Sequence, residues 1–325
     1  MEKSLDVLFK DIEEIRISQE KAGRLKEAKE FPEVFIIDTV GFCNLRCSMC
    51  PYKIRTRKKG IMSWDLYQKI IDEIAKENSK ARVWLVDMGE PFVLRRAKPS
   101  IFDFIKHAKK MGLQDVVLNT NGYLLDEETM KKTIDSGLDG LYIGIDATSE
   151  DIYNKIRVKG DFHRVINNVL KAIELKEKLG VKKPELYVQF VEMEENRHQI
   201  KDFINFWKDK PINIKIRPKA SWANTVEAKH LIYDNKHRFP CYYIMKLITI
   251  FHDGKVPICP MDWDGKVIVG DVSESSIKDV WKNSKLKIYR EYHKNKEWEK
   301  LPPVCRDCRD WQALRADYII KEKVK

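Results

Sequence analysis

Residues 33–51 read EVFIIDTVGFCNLRCSMCP, an apolar strand-like run followed at once by Cys43, Cys47 and Cys50. Three thiolates from one tight loop can hold three irons of a cubane iron–sulfur cluster and leave the fourth iron without a protein ligand. An open metal position is what a catalytic site needs, whereas a structural site closes itself with a fourth ligand. Zinc, or plain burial of three small apolar side chains, are the other readings of the triplet. Zinc asks for four ligands, and the nearest histidine, His107, is far off in sequence.

The chain around this loop has 325 residues, enough for one large domain and a small one. Its net charge is +11 with 34% charged residues, and the surplus is spread along the chain. Only KIRTRKKG (53–60), beside the cysteine loop, is dense; it reads as a solvated face, and nucleic acid is not expected as a partner. No run of about twenty apolar residues suggests a membrane span. The first 31 residues interleave acids and bases with Leu, Ile and Phe at helical spacing, without the unbroken apolar stretch of a secretory signal. The reading is therefore a cytoplasmic protein, in which seven cysteines point to metal or catalysis rather than disulfides.

Strand-like runs at 34–39, 82–88, 115–119, 140–146, 185–192 and 212–217 alternate with amphipathic runs such as SWDLYQKIIDEIAKEN (63–78). Such alternation predicts parallel strands with crossover helices, the α/β class. In INIKIRP (212–218), Ile212, Ile214 and Ile216 are expected to face helices, which turns Asn213, Lys215 and Arg217 inward. In LYVQFV (186–191) the same logic turns Tyr187 and Gln189 inward. Two cations and two polar groups suit a substrate bearing phosphate, carboxylate or many hydroxyls; pairing of Lys215 and Arg217 with internal acids is the alternative. From about residue 236 the alternation stops. LITIFHDGKVPICPMDWDGKVIVGDV (247–272) reads as two hairpins about Asp253-Gly254 and Asp264-Gly265, with His252, Asp262 and Asp264 as turn residues. Trp222 and the segment to Arg238 bridge to this region and are expected to cover the site.

The triplet resembles the signature of the radical S-adenosylmethionine (radical SAM) superfamily, and further matches follow in order. Met88-Gly89-Glu90-Pro91 resembles its Gly-Gly-Glu segment, Thr120-Asn121-Gly122 its third strand and turn, and GLYIGIDATSEDIYNKIR (140–157) its fourth strand and following helix. The resemblance implies a partial (β/α)6 TIM-like barrel with the site at the strands' C-terminal ends. It also implies S-adenosylmethionine contacts at Gly89, Glu90, Asn121, Asp146 and Arg157, with Glu90's strand edge receiving the ammonium and Arg157 the carboxylate. Where the family often has Ser two residues before the Asp, this chain has Gly144. Cys241, Cys259, Cys305 and Cys308 resemble the SPASM/twitch extension, which implies a second 4Fe–4S cluster with a complete set of four thiolates; structural zinc is the alternative. The expected organisation is an N-terminal amphipathic helix (1–32), a radical SAM core (33–235) and a small α+β auxiliary-cluster domain (236–325).

The implied chemistry is one-electron cleavage of S-adenosylmethionine to a 5′-deoxyadenosyl radical that abstracts hydrogen from a small polar substrate, such as a sugar or cyclitol. Dehydrogenation, with the auxiliary cluster as acceptor, is the leading outcome. The single-auxiliary relatives include alcohol dehydrogenases of cyclitols. The expected catalytic residues are Tyr187, Gln189, Lys215 and Arg217, and the reductant a flavodoxin or ferredoxin. Epimerisation, or modification of a peptide or nucleic acid, are the alternatives. Epimerases of the superfamily commonly donate hydrogen from a free thiol, and here three plus four cysteines leave none, so Tyr187 or Tyr142 would have to serve.

Overall fold

The computed structural model describes residues 5–313 and 319–320. Its main sheet holds seven parallel strands: β1 (Val34–Ile37), β2 (Arg82–Trp84), β3 (Asp115–Thr120), β4 (Gly140–Gly144), β5 (Glu185–Glu192), β6 (Asn213–Pro218) and β7 (Leu247–Ile250). They lie in the order β6-β5-β4-β3-β2-β1-β7. The six expected strands are there, and the α/β class with them. The seventh is a correction. Leu247–Ile250 does not open a hairpin but pairs parallel with β1, Val34 against Leu247 through Ile37 against Ile250. All four of its residues are buried, the pattern of a parallel strand covered on both faces rather than of a half-exposed hairpin arm.

The helices pack on the outside of the sheet because their apolar residues recur at three and four. In α2 (Trp64–Asn78), which follows α1 (Leu5–Lys21) in the chain, Tyr67, Ile70, Ile71 and Ile74 are buried. Each such side chain contributes about 1.5–3 kcal/mol. The helix starts where the Ser63 hydroxyl accepts the Leu66 N–H. In α3 (Ile101–Lys110), Ser100 and Asp103 form a reciprocal cap, and Phe104 meets Tyr67 edge-on at 4.6 Å. The outer layer continues with α4 (Glu127–Asp135), α5 (Glu150–Ile156), α6 (Phe162–Leu179), which stops at left-handed Gly180, and α7 (Ile200–Trp207).

The C-terminal part is small. After α8 (Tyr242–Lys246) and β7, a tight turn at Asp253-Gly254 leads into β8 (Lys255–Pro257), which pairs antiparallel with β9 (Ile268–Asp271). Asp264-Gly265 lies in the β8–β9 connection, so this second Asp-Gly does join two hairpin strands. Three helices follow: α9 (Ile277–Lys282), α10 (Ser284–Lys294) and α11 (Pro303–Arg306). A last strand, β10 (Ile319–Ile320), runs antiparallel on β6. Ile12 and Ile15 of α1 pack with Phe239 and Trp311, which ties the leading helix to this C-terminal part. Among the described residues, no helix is long and apolar enough to cross a membrane.

The basic run at 53–60 departs from a solvated face. Lys53, Lys58 and Lys59 are exposed, but the Arg55 and Arg57 side chains turn inward to Asp38, at 3.7 and 3.0 Å, and Arg57 also approaches Asp87 at 3.8 Å. Two cations thus anchor the segment after the cysteine loop to the ends of β1 and β2.

Candidate active site

The cysteine loop leaves the C-terminal end of β1 and is held by its backbone. Glu90 N–H donates to Phe42 O at 2.8 Å, and Gly41 N–H to Gly60 O at 2.8 Å. On the other side, Arg46 and Ser48 N–H groups donate to Val158 and Ile156 carbonyls at the end of α5, each at 2.9 Å. Gly89 is where loop and β2 edge meet: a Cβ there would lie 3.0 Å from the Val40 carbonyl carbon and nearer still to its oxygen. Only glycine allows that approach. The phenolic oxygen of Tyr52 accepts the Cys43 N–H at 3.0 Å.

Burial pushes the thiols of Cys43 and Cys50 up to about 11 and about 12, and raises that of Cys47 against the opposing pull of Arg157. Such thiols ionise when a metal takes them. Arg157 lies against this trio, with Nη1 3.7 Å from Cys47 Sγ. Its Nε and Nη2 bond Asp146 Oδ2 at 2.7 and 2.5 Å. Asp146 is fully buried in a left-handed conformation (φ 64°), and its other oxygen accepts the Val191 N–H at 2.7 Å. Gly144 leaves the space that the guanidinium fills: a Cβ there would sit 3.0 Å from Arg157 Cζ.

Glu90 accepts the Thr120 hydroxyl and the Asn121 N–H, both at 2.7 Å, and the Phe92 N–H at 3.2 Å. A carboxylate offers about four acceptor positions, so one is left for an ammonium. Burial pushes Glu90 up to about 7. Asn121 Nδ2 reaches Asn44 Oδ1 in the cysteine loop at 2.8 Å. The five residues expected around the cofactor therefore share one end of the sheet with the trio. Their donors and acceptors suit a zwitterionic amino acid group: a spare acceptor at Glu90 and a cation at Arg157.

The inward residues of β5 and β6 fall into two groups. Register sets Lys215 beside Gln189 and Arg217 beside Val191, whose N–H bonds Asp146. Arg217 is thus level with the cofactor residues. Lys215 is one inward position below, with Nζ 4.9 Å from the Tyr142 ring centre and 5.9 Å from that of Trp84. Neither cation has an ion pair with any described residue, so the internal pairing considered from sequence does not occur among them. Burial, with repulsion from Arg217, Arg82 and Arg24, pulls Lys215 down to about 7. Gln189 Nε2 donates to Asn119 Oδ1 at 2.8 Å. Tyr187 is not brought to this end. It stacks on Tyr142 at 4.1 Å and donates to Glu185 at 2.5 Å, four residues before Val191 and so about 13 Å down the strand.

The other four cysteines ring one cavity together with Arg238, Tyr243, Ile258, Met261, His293 and Asp310. Burial pushes Cys305 up to about 12 and raises the other three. Among the described residues no three His, Cys, Asp or Glu groups converge on a single ion; these thiols surround a space.

The two cysteine sites are joined at Trp222, where a bridge is expected, by a turn whose left-handed conformation and anchor at Asp310 the sequence does not disclose. Trp222, Ala223 and Asn224 all have positive φ (51°, 52° and 65°), which costs roughly 1–2 kcal/mol per residue. Asp310, two residues after Cys308, holds it by accepting Ser221 N–H at 2.5 Å and Ala223 N–H at 2.7 Å. Trp222 Nε1 then donates to Met49 O, between Cys47 and Cys50, at 2.9 Å. Trp222 and Trp263 pack with Met88, Tyr52, Cys43 and Cys50. Asp310→Ala is expected to destabilise the protein by about 1–3 kcal/mol for each N–H left unpaired, with a shift in tryptophan emission. Asp310→Asn, which keeps one acceptor, should lose about half as much in denaturant titrations. Unchanged midpoints in both would show that the turn stands without the carboxylate.

A family model described as the radical SAM superfamily matches residues 37–206, more than half of the chain. The chain belongs to the radical SAM superfamily. A second model, described as an iron–sulfur cluster-binding domain (SPASM), matches residues 241–309 of this radical SAM enzyme. Together they assign it S-adenosylmethionine and 4Fe–4S clusters as cofactors. Among curated proteins it is 24% identical over 311 residues to the tungsten-containing aldehyde ferredoxin oxidoreductase cofactor-modifying protein of Pyrococcus furiosus, covering 82% of this chain and 84% of that one. It is 30% identical to the GTP 3′,8-cyclase of Alkaliphilus metalliredigens, over 58% of each chain. Among solved structures, BtrN in complex with AdoMet and 2-DOIA matches with a TM-score of 0.60 at 15% identity, covering 90% of this chain and 100% of that one. Streptococcus suis SuiB bound to the precursor peptide SuiA matches with 0.66 at 13% identity, over 93% and 79%. At these identities the likeness speaks for the fold.

Proposed function

We propose that this radical SAM enzyme dehydrogenates a small, polar, anionic substrate, with Lys215 and Arg217 as the groups that receive it. In this reading Cys43, Cys47 and Cys50 hold the catalytic cluster, and Cys241, Cys259, Cys305 and Cys308 the auxiliary one. When bound, the cofactors supply a primary radical that takes a hydrogen atom from the substrate, and a one-electron acceptor at the four-thiol site. The observation that carries the reading is the inward pair of cations on β6, unpaired among the described residues and next to the cofactor end. Arg217 is exposed and Lys215 half-buried, so both cations can reach an anionic substrate, and holding Lys215 away from water without a partner carries a cost that such a substrate removes.

Glu90 and Arg157 orient the amino acid end of the cofactor, Glu90 accepting from the ammonium and Arg157 facing the carboxylate. Arg217 binds the substrate's anionic or hydroxyl groups level with Asp146, and Gln189, steadied by Asn119, donates from the next inward position. Lys215, neutral in part near pH 7, accepts the hydroxyl proton as the carbinol carbon becomes a carbonyl. Cys241, Cys259, Cys305 and Cys308 would hold the group that supplies the acceptor for the second electron, with an external one-electron carrier as its outlet, so that the substrate would lose two hydrogens in all. Trp222 and Trp263, packed against the cysteine loop, keep water from the reacting centre.

The Pyrococcus furiosus relative, matched over most of both chains, favours a second reading in which the substrate is an anionic cofactor or its precursor. GTP, named for the cyclases, would suit the same two cations. The test is anaerobic turnover in deuterated buffer of sugar phosphates, aminocyclitols and GTP, followed by mass spectrometry. A product two hydrogens lighter is expected; solvent deuterium at a stereocentre would mean epimerisation, and a product of unchanged mass without deuterium a cyclisation or rearrangement. Iron and sulfide should each count about eight per chain. About four iron with stoichiometric zinc would remove the auxiliary cluster and leave the catalytic one.

A further inference from the structure

The cavity ringed by Cys241, Cys259, Cys305 and Cys308 has two nitrogen groups in its wall that the fold alone does not account for. His293 is fully buried, with its ring edge-on to Trp298 at 5.6 Å. Its Nδ1 faces the Cys241 N–H at 3.4 Å and its Nε2 faces Cys305 Sγ at 3.3 Å. Because a backbone N–H can only donate, Nδ1 is the acceptor and the ring proton sits on Nε2, aimed at the sulfur. Arg238, 3% exposed, lies over Trp298 at 4.7 Å. It donates from Nη1 to Arg306 O at 2.7 Å and from Nη2 to Cys305 O at 2.8 Å, while its Nε has no partner. No carboxylate pairs with this guanidinium among the described residues. A buried positive charge of this kind asks for a negative group inside the cavity.

We infer that His293 and Arg238 raise the reduction potential of the auxiliary cluster, His293 through an N–H···S bond to Cys305 and Arg238 through its buried charge. The inference rests on the proposed reading of these four cysteines as cluster ligands. Each electron added to a thiolate-bound cluster adds negative charge to its sulfurs. A hydrogen bond to sulfur and a fixed cation therefore stabilise the reduced form more than the oxidised one. Asp262 and Asp310 act against them from the Cys259 and Cys308 sides, each with its oxygens bound by backbone N–H groups. The cation and the imidazole gather on the Cys305 side. An acceptor of a substrate's second electron needs such a bias, whereas a cluster that only staples the fold does not.

The measurement is a potentiometric titration of the reconstituted full-length protein, followed by electron paramagnetic resonance with and without S-adenosylmethionine. The signal that S-adenosylmethionine changes belongs to the catalytic cluster, and the unmoved one to the auxiliary cluster. His293→Phe keeps the ring volume and removes the donor. At the parent midpoint it is expected to lower the ratio of reduced to oxidised auxiliary cluster about tenfold, a shift of about 59 mV to more negative potential for one electron. Arg238→Met should move it in the same direction, and His293→Gln, which keeps a donor, should restore most of the parent value. An auxiliary midpoint unmoved in both His293→Phe and Arg238→Met overturns this inference and leaves the cluster assignment standing. A single titrating cluster with stoichiometric zinc overturns both.

Discussion

Serine in place of Gly144 is expected to cut S-adenosylmethionine cleavage at least a hundredfold, although serine is the residue the superfamily often carries there. The space is already occupied. Any Cβ at this position would stand 3.0 Å from Arg157 Cζ and closer to Nη2, so the guanidinium must leave. It cannot leave freely, because it is bonded through Nε and Nη2 to Asp146, which is fully buried and fixed by the Val191 N–H. Separating a buried pair and leaving the carboxylate alone costs about 3–5 kcal/mol. If Arg157 receives the cofactor's carboxylate, as proposed, a displacement of the guanidinium by about 1 Å is enough for a hundredfold loss. Gly144→Ala should be as damaging as Gly144→Ser, since the added carbon and not the hydroxyl is at fault. Both should lower the denaturation midpoint. Parent-like cleavage by Gly144→Ser, followed by chromatography of 5′-deoxyadenosine, would mean that Arg157 moves at no cost and that its seat against Gly144 is incidental.

What a single chain discloses depends on how far apart the cooperating residues lie. The cysteine loop, the β2 edge at Gly89-Glu90 and the turn at Asn121-Gly122 are each local patterns at the end of an apolar run, and the end of a strand is where a parallel sheet places its site. β7 was hidden because an apolar run before Asp-Gly has two meanings, and only its pairing with β1, more than two hundred residues earlier, chooses between them. The run at 53–60 misleads for the same reason. Arg55 and Arg57 look like any surface cations until Asp38 and Asp87 are placed beneath them. Trp222 is expected to cover the site, but Asp310 and His293, and the part that Arg238 plays, carry no motif. Their function is visible only when residues 49, 222 and 310, or 238, 293 and 305, meet in space.

Lys215→Met is expected to make the protein more stable and far less active, and the pH at which each effect is read separates them. Lys215 ordinarily would ionise near 10.5, but in the fold it does so at about 7, chiefly through burial and then through Arg217, Arg82 and Arg24. Below about 7 both folded and unfolded chains hold the proton, and the folded state bears the whole cost of the half-buried cation. Between about 7 and 10.5 the unfolded chain keeps the proton and the folded chain does not, so stability rises with pH across that window. Above it both are neutral and the cost is gone. Methionine, which fills the same space between Tyr142 and Trp84 without charge, should therefore raise the denaturation midpoint most at pH 6, and its advantage should fade as pH approaches 10.5. Activity moves the other way. If Lys215 takes the hydroxyl proton, turnover by the parent rises with pH through a midpoint near 7 to a plateau above it, and the variant is slower by about 10²–10⁴-fold with that rise abolished. Cleavage of S-adenosylmethionine without substrate should persist, because Glu90, Asp146 and Arg157 do not touch Lys215. A variant that gains stability but keeps parent turnover would leave Lys215 as a strained cation without a role in proton transfer. One that gains none would show that the anion it awaits is already supplied within the chain.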